Sequence, residues 1–559
     1  MNSNTTSNPM EIESLETNQE RETNAPEVWE EEEEDEATKK DDGSTRFLKV
    51  FAVIAGWGST FFGVDTSVIG GAALYVQPDL SISPLQWSWI TSVPLLAACF
   101  GLGTSIPLCY HIGRKYVVLL AAVLYLAGAT MSAAADSMVV LLVGRIILGL
   151  GMGLEAMVIP IYLAELVPKQ HRGGHLNIFN SLQTFGGFIA AIIDGIFQNV
   201  SGGWRYMLGS GVIGPALQLV FALFIPESPR WYIQKGRIAD AERSWKRIRK
   251  DMPKTRKEFL ELKENVENEM KEAKGAMQVV TEILTVPRIR ATFVIGALIS
   301  LAQQWNGATA IAYYLPTLIS QMGVSVKNSV YADIPIYFYN SCCTLPSFFL
   351  FDRFGRRPVL LATMPILIIG LIISGCSLQA STVASRAGGF FVGLALYYIG
   401  YQVGVSPLAW AINGEIYELH VRNWGMSWGA SILLGSAFSV SYTFTRQVRA
   451  FTKTGVFGLY AGFTLIFWFI LIILMPETNG RTLEDIRNIF DEGLIGLAKY
   501  NWSQTKTWVR TKLGKQHVAV DSSKESDELA SSLSPTKKQE KASAKEDSAL
   551  AAIQQSAQE

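Results

Sequence analysis

Charge is scarce in this chain, and so are histidine and cysteine. Only 17% of the 559 residues are Asp, Glu, Lys or Arg, against about 25% in ordinary soluble proteins. Net charge is −1 and no basic face stands out, so nucleic acid is not expected as a partner. The five cysteines (Cys99, Cys109, Cys342, Cys343, Cys376) lie in or beside apolar runs without metal-ligand spacing and read as buried free thiols. There is no phosphate loop and no placed nucleophile, and the five His lie outside the apolar centres. The glycines of "GLGMG", inside an apolar run after Arg145, read as helix-packing residues rather than a nucleotide turn. An enzyme, a metal site or an organic cofactor is therefore not expected. The acidic start, with "EEEEDEATKKDD", has no apolar core behind a basic segment, so no cleaved leader is expected.

What the chain has instead is oil. Hydrophobic residues make up 49% and mean hydropathy is +0.22. Apolar runs long enough to cross a bilayer, ~20 residues each, fall near 47–71, 88–109, 116–134, 138–162, 176–198 and 206–225, then near 291–319, 330–351, 358–377, 386–413, 424–447 and 455–475. Backbone in lipid must satisfy its own hydrogen bonds, so these runs are predicted as helices. The expected fold is an all-α membrane protein of twelve transmembrane helices in two six-helix halves. The expected boundaries are an acidic N-terminal stretch over 1–46, a first half over 47–225, a linker of short helices over 226–290, a second half over 291–475 and a tail over 476–559, disordered after about 515. Lys and Arg collect at Arg114/Lys115, Lys169/Arg172, Arg353/Arg356/Arg357, Arg422 and throughout 229–290, whereas 72–87 and 135–138 have none. Basic loops stay in the cytoplasm, which predicts both termini inside. Arg449 and Lys453 are a mild exception.

The halves echo each other. Glu165 and Arg172 of "AELVPKQHRG" return 250 residues on as Glu415 and Arg422 of "GEIYELHVRNWG", and "PESPR" at Pro226 returns at the same offset as "PETNGR" at Pro476. Such duplication suggests a transporter with its site at the midplane between halves.

The segments "GRIILGLGMGLEAMVIPIYLAELVPKQHRGG", "PESPRWYIQKGR", "DRFGRRP" and "PETNGRTLEDI" resemble the sugar porter family of the major facilitator superfamily, most of all its fungal branch. The resemblance runs from about residue 47 to 490. It implies an alternating-access carrier of a hexose, pentose or polyol, often driven by protons, with no cofactor beyond the coupling ion. A plasma-membrane monomer is the expected setting. Glu165, Arg172, Glu415 and Arg422 lie near helix ends, where acids and bases can pair across the bundle. With Arg114, Asp352, Arg353 and Arg356 they form the expected cytoplasmic gate. Partly solvated bridges of ~1 kcal/mol would break cheaply there. The family's Asp three residues before the glycine of "GRR" is present as Asp352 but replaced by Tyr110 in the first half, so one ion pair of the gate is expected to be missing.

"FFGVDTSVIGG" places one acid, Asp65, in the first apolar run. A charge at mid-bilayer costs ~2.5–3.5 kcal/mol even on the lenient insertion scale, so it must be neutralised or paired. Arg145 in the fourth span is the candidate partner. The resemblance implies an acid at Asp65 facing Arg145 in proton-coupled members. A static pair that fixes helix packing is the alternative. Glu155 is a second acid of the fourth span, either an auxiliary proton group or another partner for Arg145.

Polyhydroxyl ligands favour amides, which donate and accept from one side chain. In the seventh span, "AQQWNGATAIAYY", Gln303 and Gln304 match the family's paired glutamines, Gly307 allows a bend, and Tyr313 and Tyr314 match its extracellular gate. Asp333, Tyr337 and Asn340 share a face of the eighth span, and Asn340 matches a sugar-binding amide. In "YQVGVSPLAWAINGE", Gln402 matches a polar ligand and Trp410 the stacking residue. Asn180, Gln183, Gly187 and Asp194 line one face of the fifth span, with Asp194 near its outer end and expected to meet water. Two amides of the family pattern are absent: Thr309 stands where one is expected, and Leu433-Leu434 where Asn-Trp is expected. The ligand is therefore expected to be less hydroxylated than glucose or bound in another pose. An exporter of a sugar-like metabolite, or a sugar sensor on the same scaffold, are the competing readings.

Overall fold

The structure, a computed structural model, describes residues 46–166, 172–250, 252–272, 276–418, 420–481, 483–491 and 493–513. The predicted acidic N-terminal stretch and the tail beyond 513 lie outside the described residues. The first half consists of α1 (Arg46–Asp79), α2 (Pro84–Ile112), α3 (Arg114–Ala133), α4 (Met138–Leu166), α5 (Arg172–Phe197) and a sixth span broken into α6 (Gly203–Ser210) and α7 (Ile213–Phe224). Four short helices follow: α8 (Pro229–Gln234), α9 (Ile238–Ile248), α10 (Pro253–Glu272) and α11 (Ala276–Thr285). The second half holds α12 (Pro287–Gln304) with α13 (Ala308–Ser320), α14 (Val326–Cys342) with α15 (Ser347–Phe354), α16 (Arg356–Ser377), α17 (Val383–Gly400) with α18 (Ser406–Glu415), and α19 (Arg422–Leu474). Straight, the 53 residues of α19 would run about 80 Å at 1.5 Å each, far beyond a ~30 Å hydrocarbon core. Thr452, at φ 65°, bends it into the eleventh and twelfth spans. Exposed Phe100, Val139, Leu223, Phe349 and Phe469 give the bundle the apolar exterior that lipid requires.

Small residues let the spans approach. On α4, a Cβ at Gly149 or Gly153 would run into Pro94 or Ala98 of α2, and one at Gly151 would lie 2.8 Å from the Ala121 carbonyl of α3. The glycines of "GLGMG" thus seat one helix against two neighbours.

Two breaks matter for the site. Gly307 adopts φ 88°, which separates α12 from α13. Asn306 repairs the break: its amide donates to the carbonyls of Ala302 (3.0 Å) and Gln303 (2.9 Å), and its oxygen accepts from the Ala308 N–H (3.1 Å) and the Tyr397 hydroxyl (2.9 Å). In the tenth span a π-turn over Tyr401–Val405 precedes Pro407, which has no N–H to donate to the ladder.

The linker helices brace one end of the bundle. Trp245, Ile248, Phe259 and Val266 bury against Leu154, Val158, Tyr162 and Ala222, and Arg249 donates to the Leu166 carbonyl (3.1 Å). Two helices follow the twelfth span, α20 (Leu483–Phe490) and α21 (Gly493–Leu513), and they bury Phe490 and Leu497. Arg357 anchors α21 through the Asn501 carbonyl (3.3 Å) and the Thr505 hydroxyl (2.9 Å).

Candidate functional site

Asp65 of α1 and Arg145 of α4 meet in the first half, both buried. The guanidinium grips the carboxylate with two parallel bonds, Nη1 to Oδ1 and Nη2 to Oδ2, the latter 2.9 Å. A planar fork on a carboxylate is the strong geometry for a buried pair. Asp65 does not open into the central cavity, but its neighbours Phe62, Gly63 and Thr66 line it. Glu155 lies elsewhere. It accepts from the Gln218 amide of α7 (2.9 Å) and abuts Gly58 of α1, so Gln218 takes the place proposed for Arg145.

Between the halves lies a cavity of about 150 Å³. Asn180, Gln183, Gln303, Gln304, Thr309, Asn340, Gln402 and Trp410 all line it, so residues scattered over four spans converge on one space. Several bond one another: Gln402 to Asn340 (2.7 Å), Ser406 to Asn180 across the halves (3.0 Å), Thr309 to Gln304 (2.6 Å), and Gln303 to the Ser406 carbonyl (3.1 Å). Oε1 of Gln303 and of Gln402 are buried and accept no hydrogen bond among the described residues, which leaves acceptors for hydroxyl donors at the cavity. Leu433, Leu434 and Ala437 form an apolar wall. Tyr337, Tyr397, Tyr398 and Tyr401 also line the cavity. The last three were missed as site residues, although "YYIGY" precedes Gln402 by less than two turns. Aromatic spacing in an apolar helix reads equally well as core, so only the packing separates the two.

Tyr313 and Tyr314 are both buried, but only Tyr313 reaches the cavity. The Tyr314 hydroxyl lies 3.3 Å from that of Thr91 on α2, and its ring packs on Phe444 of α19. Asp194 departs from expectation: it is buried rather than facing water, because α1 and α14 cover the end of α5.

At the end carrying the basic loops, the duplication is visible atom by atom. Gly113 (φ 98°) and Gly355 (φ 88°) make sharp corners before α3 and α16. Glu227 accepts the N–H groups of Arg114 (2.9 Å) and Lys115 (3.0 Å), and Glu477 those of Arg356 (3.0 Å) and Arg357 (3.1 Å). A carboxylate on the first N–H groups of a helix meets the positive end of its dipole. Burial nevertheless pushes the Glu227 carboxyl above the usual carboxylate range, against the pull of these N–H groups. Arg114 pairs with Glu165 (2.7 Å) and Arg356 with Glu415 (3.2 Å). These pairs stay within each half rather than crossing the bundle. Asp352 is 83% exposed and only 3.9 Å from Arg356, a loose contact. Arg353 lies over the ring of Phe354, and Arg422 reaches the Tyr417 carbonyl at 3.5 Å. Where the first half lacks the aspartate, the Tyr110 ring carries the Lys235 ammonium at 3.9 Å. Arg172 begins α5, but its side chain lies outside the described residues.

Two bundles of six spans enclosing a cavity set with amides define a multi-pass membrane protein of the major facilitator type. The fold is similar to that of the proton:xylose symporter XylE of Escherichia coli, with TM-score 0.68 and 22% identity, over 79% of this chain and 99% of that one. The chain belongs to the sugar (and other) transporter family, whose model matches residues 51–490. It is 32% identical to the myo-inositol transporter FST1 of Gibberella moniliformis, covering 82% of each chain, and 28% identical to the proton myo-inositol cotransporter of Homo sapiens, covering 86% of this chain and 87% of that one. The expected family is thereby established, with fungal members among its relatives.

Proposed function

We propose that this protein carries a small polyhydroxylated substrate, a monosaccharide or cyclitol, across the membrane by alternating access, in symport with protons. The observation that carries this reading is the cavity between halves, where six amide side chains and Trp410 face one space beside the Asp65–Arg145 pair. Amides supply hydroxyl-binding groups of both kinds, and Trp410 supplies a face for the C–H side of a ring. Asn180, Gln183, Gln303, Gln304, Thr309, Asn340 and Gln402 hold the substrate. Asp65 is the proton acceptor and Arg145 its conformation-dependent partner, with Glu155 as an auxiliary group. Tyr313 and Tyr314 close one end. Arg114, Glu165, Arg172, Asp352, Arg353, Arg356, Glu415 and Arg422 serve the other. The basic loops favour a cytoplasmic position for that end and for both termini. The plasma membrane is the proposed location, the monomer the proposed unit and the proton the sole coupling ion.

The myo-inositol carriers among the relatives favour a cyclitol over glucose. A cyclitol is no less hydroxylated than glucose, so the apolar wall of Leu433 and Leu434 then implies another pose. Counterflow in proteoliposomes with a panel of myo-inositol, hexoses and pentoses tests this. Myo-inositol is expected to exchange at least tenfold faster than glucose, and exchange of none of them overturns the reading.

A further inference from the structure

The end of the bundle opposite the basic loops holds two acids that the symport reading does not use. Asp194 lies in the last turn of α5, in one half, and Asp333 two turns into α14, in the other. They are 1% and 2% exposed. Oδ1 of each is buried without a hydrogen-bond partner, and among the described residues no salt bridge reaches either carboxyl. The other oxygen of Asp194 abuts Gly71 of α1.

The two helices pack against each other across the boundary between halves. A Cβ on Gly195 would lie 3.0 Å from Ile334, Asn199 donates to the Tyr331 hydroxyl (3.0 Å), and the Ser341 hydroxyl donates to the Thr184 carbonyl (3.0 Å). Asp194 and Asp333 adjoin Gly195 and Ile334, the residues that meet across this boundary. Asp333 is one turn beyond Tyr337, and Asp194 two turns beyond Gly187, both of which line the cavity. The pair therefore sits in the plug that separates the cavity from this end.

The groups facing the pair are neutral. They are Tyr75 of α1, Tyr331 and Tyr337 of α14 and Tyr398 of α17, with Gln198 accepting from the Tyr75 hydroxyl (3.2 Å). The Ser67 hydroxyl of α1, 1% exposed, lies beside Tyr337. Cations on neighbouring elements are engaged elsewhere. Arg205 of α6 binds Asp136, Arg386 of α17 binds the Met322 and Ser381 carbonyls, and Arg145 binds Asp65. Lys327, in the first turn of α14, is exposed.

Two ionised carboxylates cannot share a dry interface without a cation. A proton held between them removes the repulsion and supplies a charge-assisted O–H···O bond across the boundary. We propose that Asp194 and Asp333 form a proton-binding site that latches the two halves at this end. The proton enters from the water on this side when the halves part, is shared by the two carboxyls on closure, and returns to the same side on opening. It does not cross the membrane, which separates it from the coupling proton at Asp65. The proposal rests on alternating access only for the parting of the halves.

The test needs no substrate flux. A cysteine reporter, Ala308→Cys at the cavity, is labelled with a membrane-impermeant maleimide in right-side-out vesicles between pH 5.5 and 8.5. Its rate is divided by that of Ser137→Cys on the exposed loop of the same side, after subtraction of labelling in the parent protein. The ratio is expected to rise with pH, by up to tenfold per unit, the limit for one linked proton. In Asp194→Asn/Asp333→Asn, whose amides bond each other without titrating, it is expected to stay low and flat. If the double variant does not fold, Asp333→Asn is read the same way, because its amide donates to the remaining carboxylate. A flat wild-type ratio, or a variant that keeps the wild-type slope, overturns the proposal. Counterflow in the same vesicles reports separately on the transport reading.

Discussion

Asp65→Asn is expected to abolish uphill accumulation while leaving substrate exchange within a few fold of wild type. One pH unit corresponds to 1.36 kcal/mol, a factor of about ten in substrate ratio for one coupled proton, so two units drive about 100-fold accumulation. With an amide at this position the ratio should fall to about one. Asparagine keeps the shape of the acid and can still accept from Arg145, so helix packing survives, but it cannot take up the proton whose affinity the cycle must alternate. The buried fork between Asp65 and Arg145 is what makes this difference sharp. An uncompensated buried carboxylate is costly, so a movement of α4 relative to α1 that loosened the fork would tie the charge at this site to the conformation. Time-courses of labelled substrate uptake under an imposed pH gradient, beside counterflow at equal pH, check the prediction. Equal loss of both activities would assign the pair to packing instead.

The second large effect is expected at the cavity. Gln303→Leu and Gln402→Leu each remove a buried amide oxygen that has no partner among the described residues. A lost hydrogen bond to a buried hydroxyl costs ~1–3 kcal/mol, so each should raise KM about 5- to 150-fold. The partners are close enough for coupling, since Gln402 holds Asn340 (2.7 Å) and Gln303 holds the Ser406 carbonyl (3.1 Å). The double variant is therefore expected to depart from additivity. Initial-rate kinetics across a substrate series check this. An unchanged KM in both single variants would move the substrate out of this cavity.

The long spans, the duplication and the amides were legible because the physics that fixes them is local. Twenty apolar residues span a bilayer, and an isolated Gln in such a run has few uses. Gln303, Asn340 and Gln402 could be named one by one from their motifs, and their convergence follows once the halves close. The chain's departures from regular helix were harder to see. Gly307 announced a bend, but the repair by Asn306, which stitches α12, α13 and Tyr397 together, needs three-dimensional neighbours. The Asp65–Arg145 pair was legible, but the ion-pair partners at the basic end were not. Glu165 and Glu415 were visible as acids near helix ends, yet Arg114 and Arg356 reach them because Gly113 and Gly355 turn the chain at the start of α3 and α16. Asp194 looked like a surface acid by its place near a helix end, and its burial depends on α14, 140 residues further along. The helix α21 lacks a strong apolar stripe, and the polar bonds from Arg357 add to the anchor that its buried Leu497 provides.

The measurement that bears most directly on the central claim is proton movement on substrate addition. Lightly buffered proteoliposomes containing the wild-type protein, with an external pH dye and no imposed gradient, receive myo-inositol or a hexose. Substrate entry is expected to be accompanied by external alkalinisation, about one proton per molecule, and Asp65→Asn is expected to show none. Substrate entry at an undiminished rate with no pH change in the wild type would contradict the account.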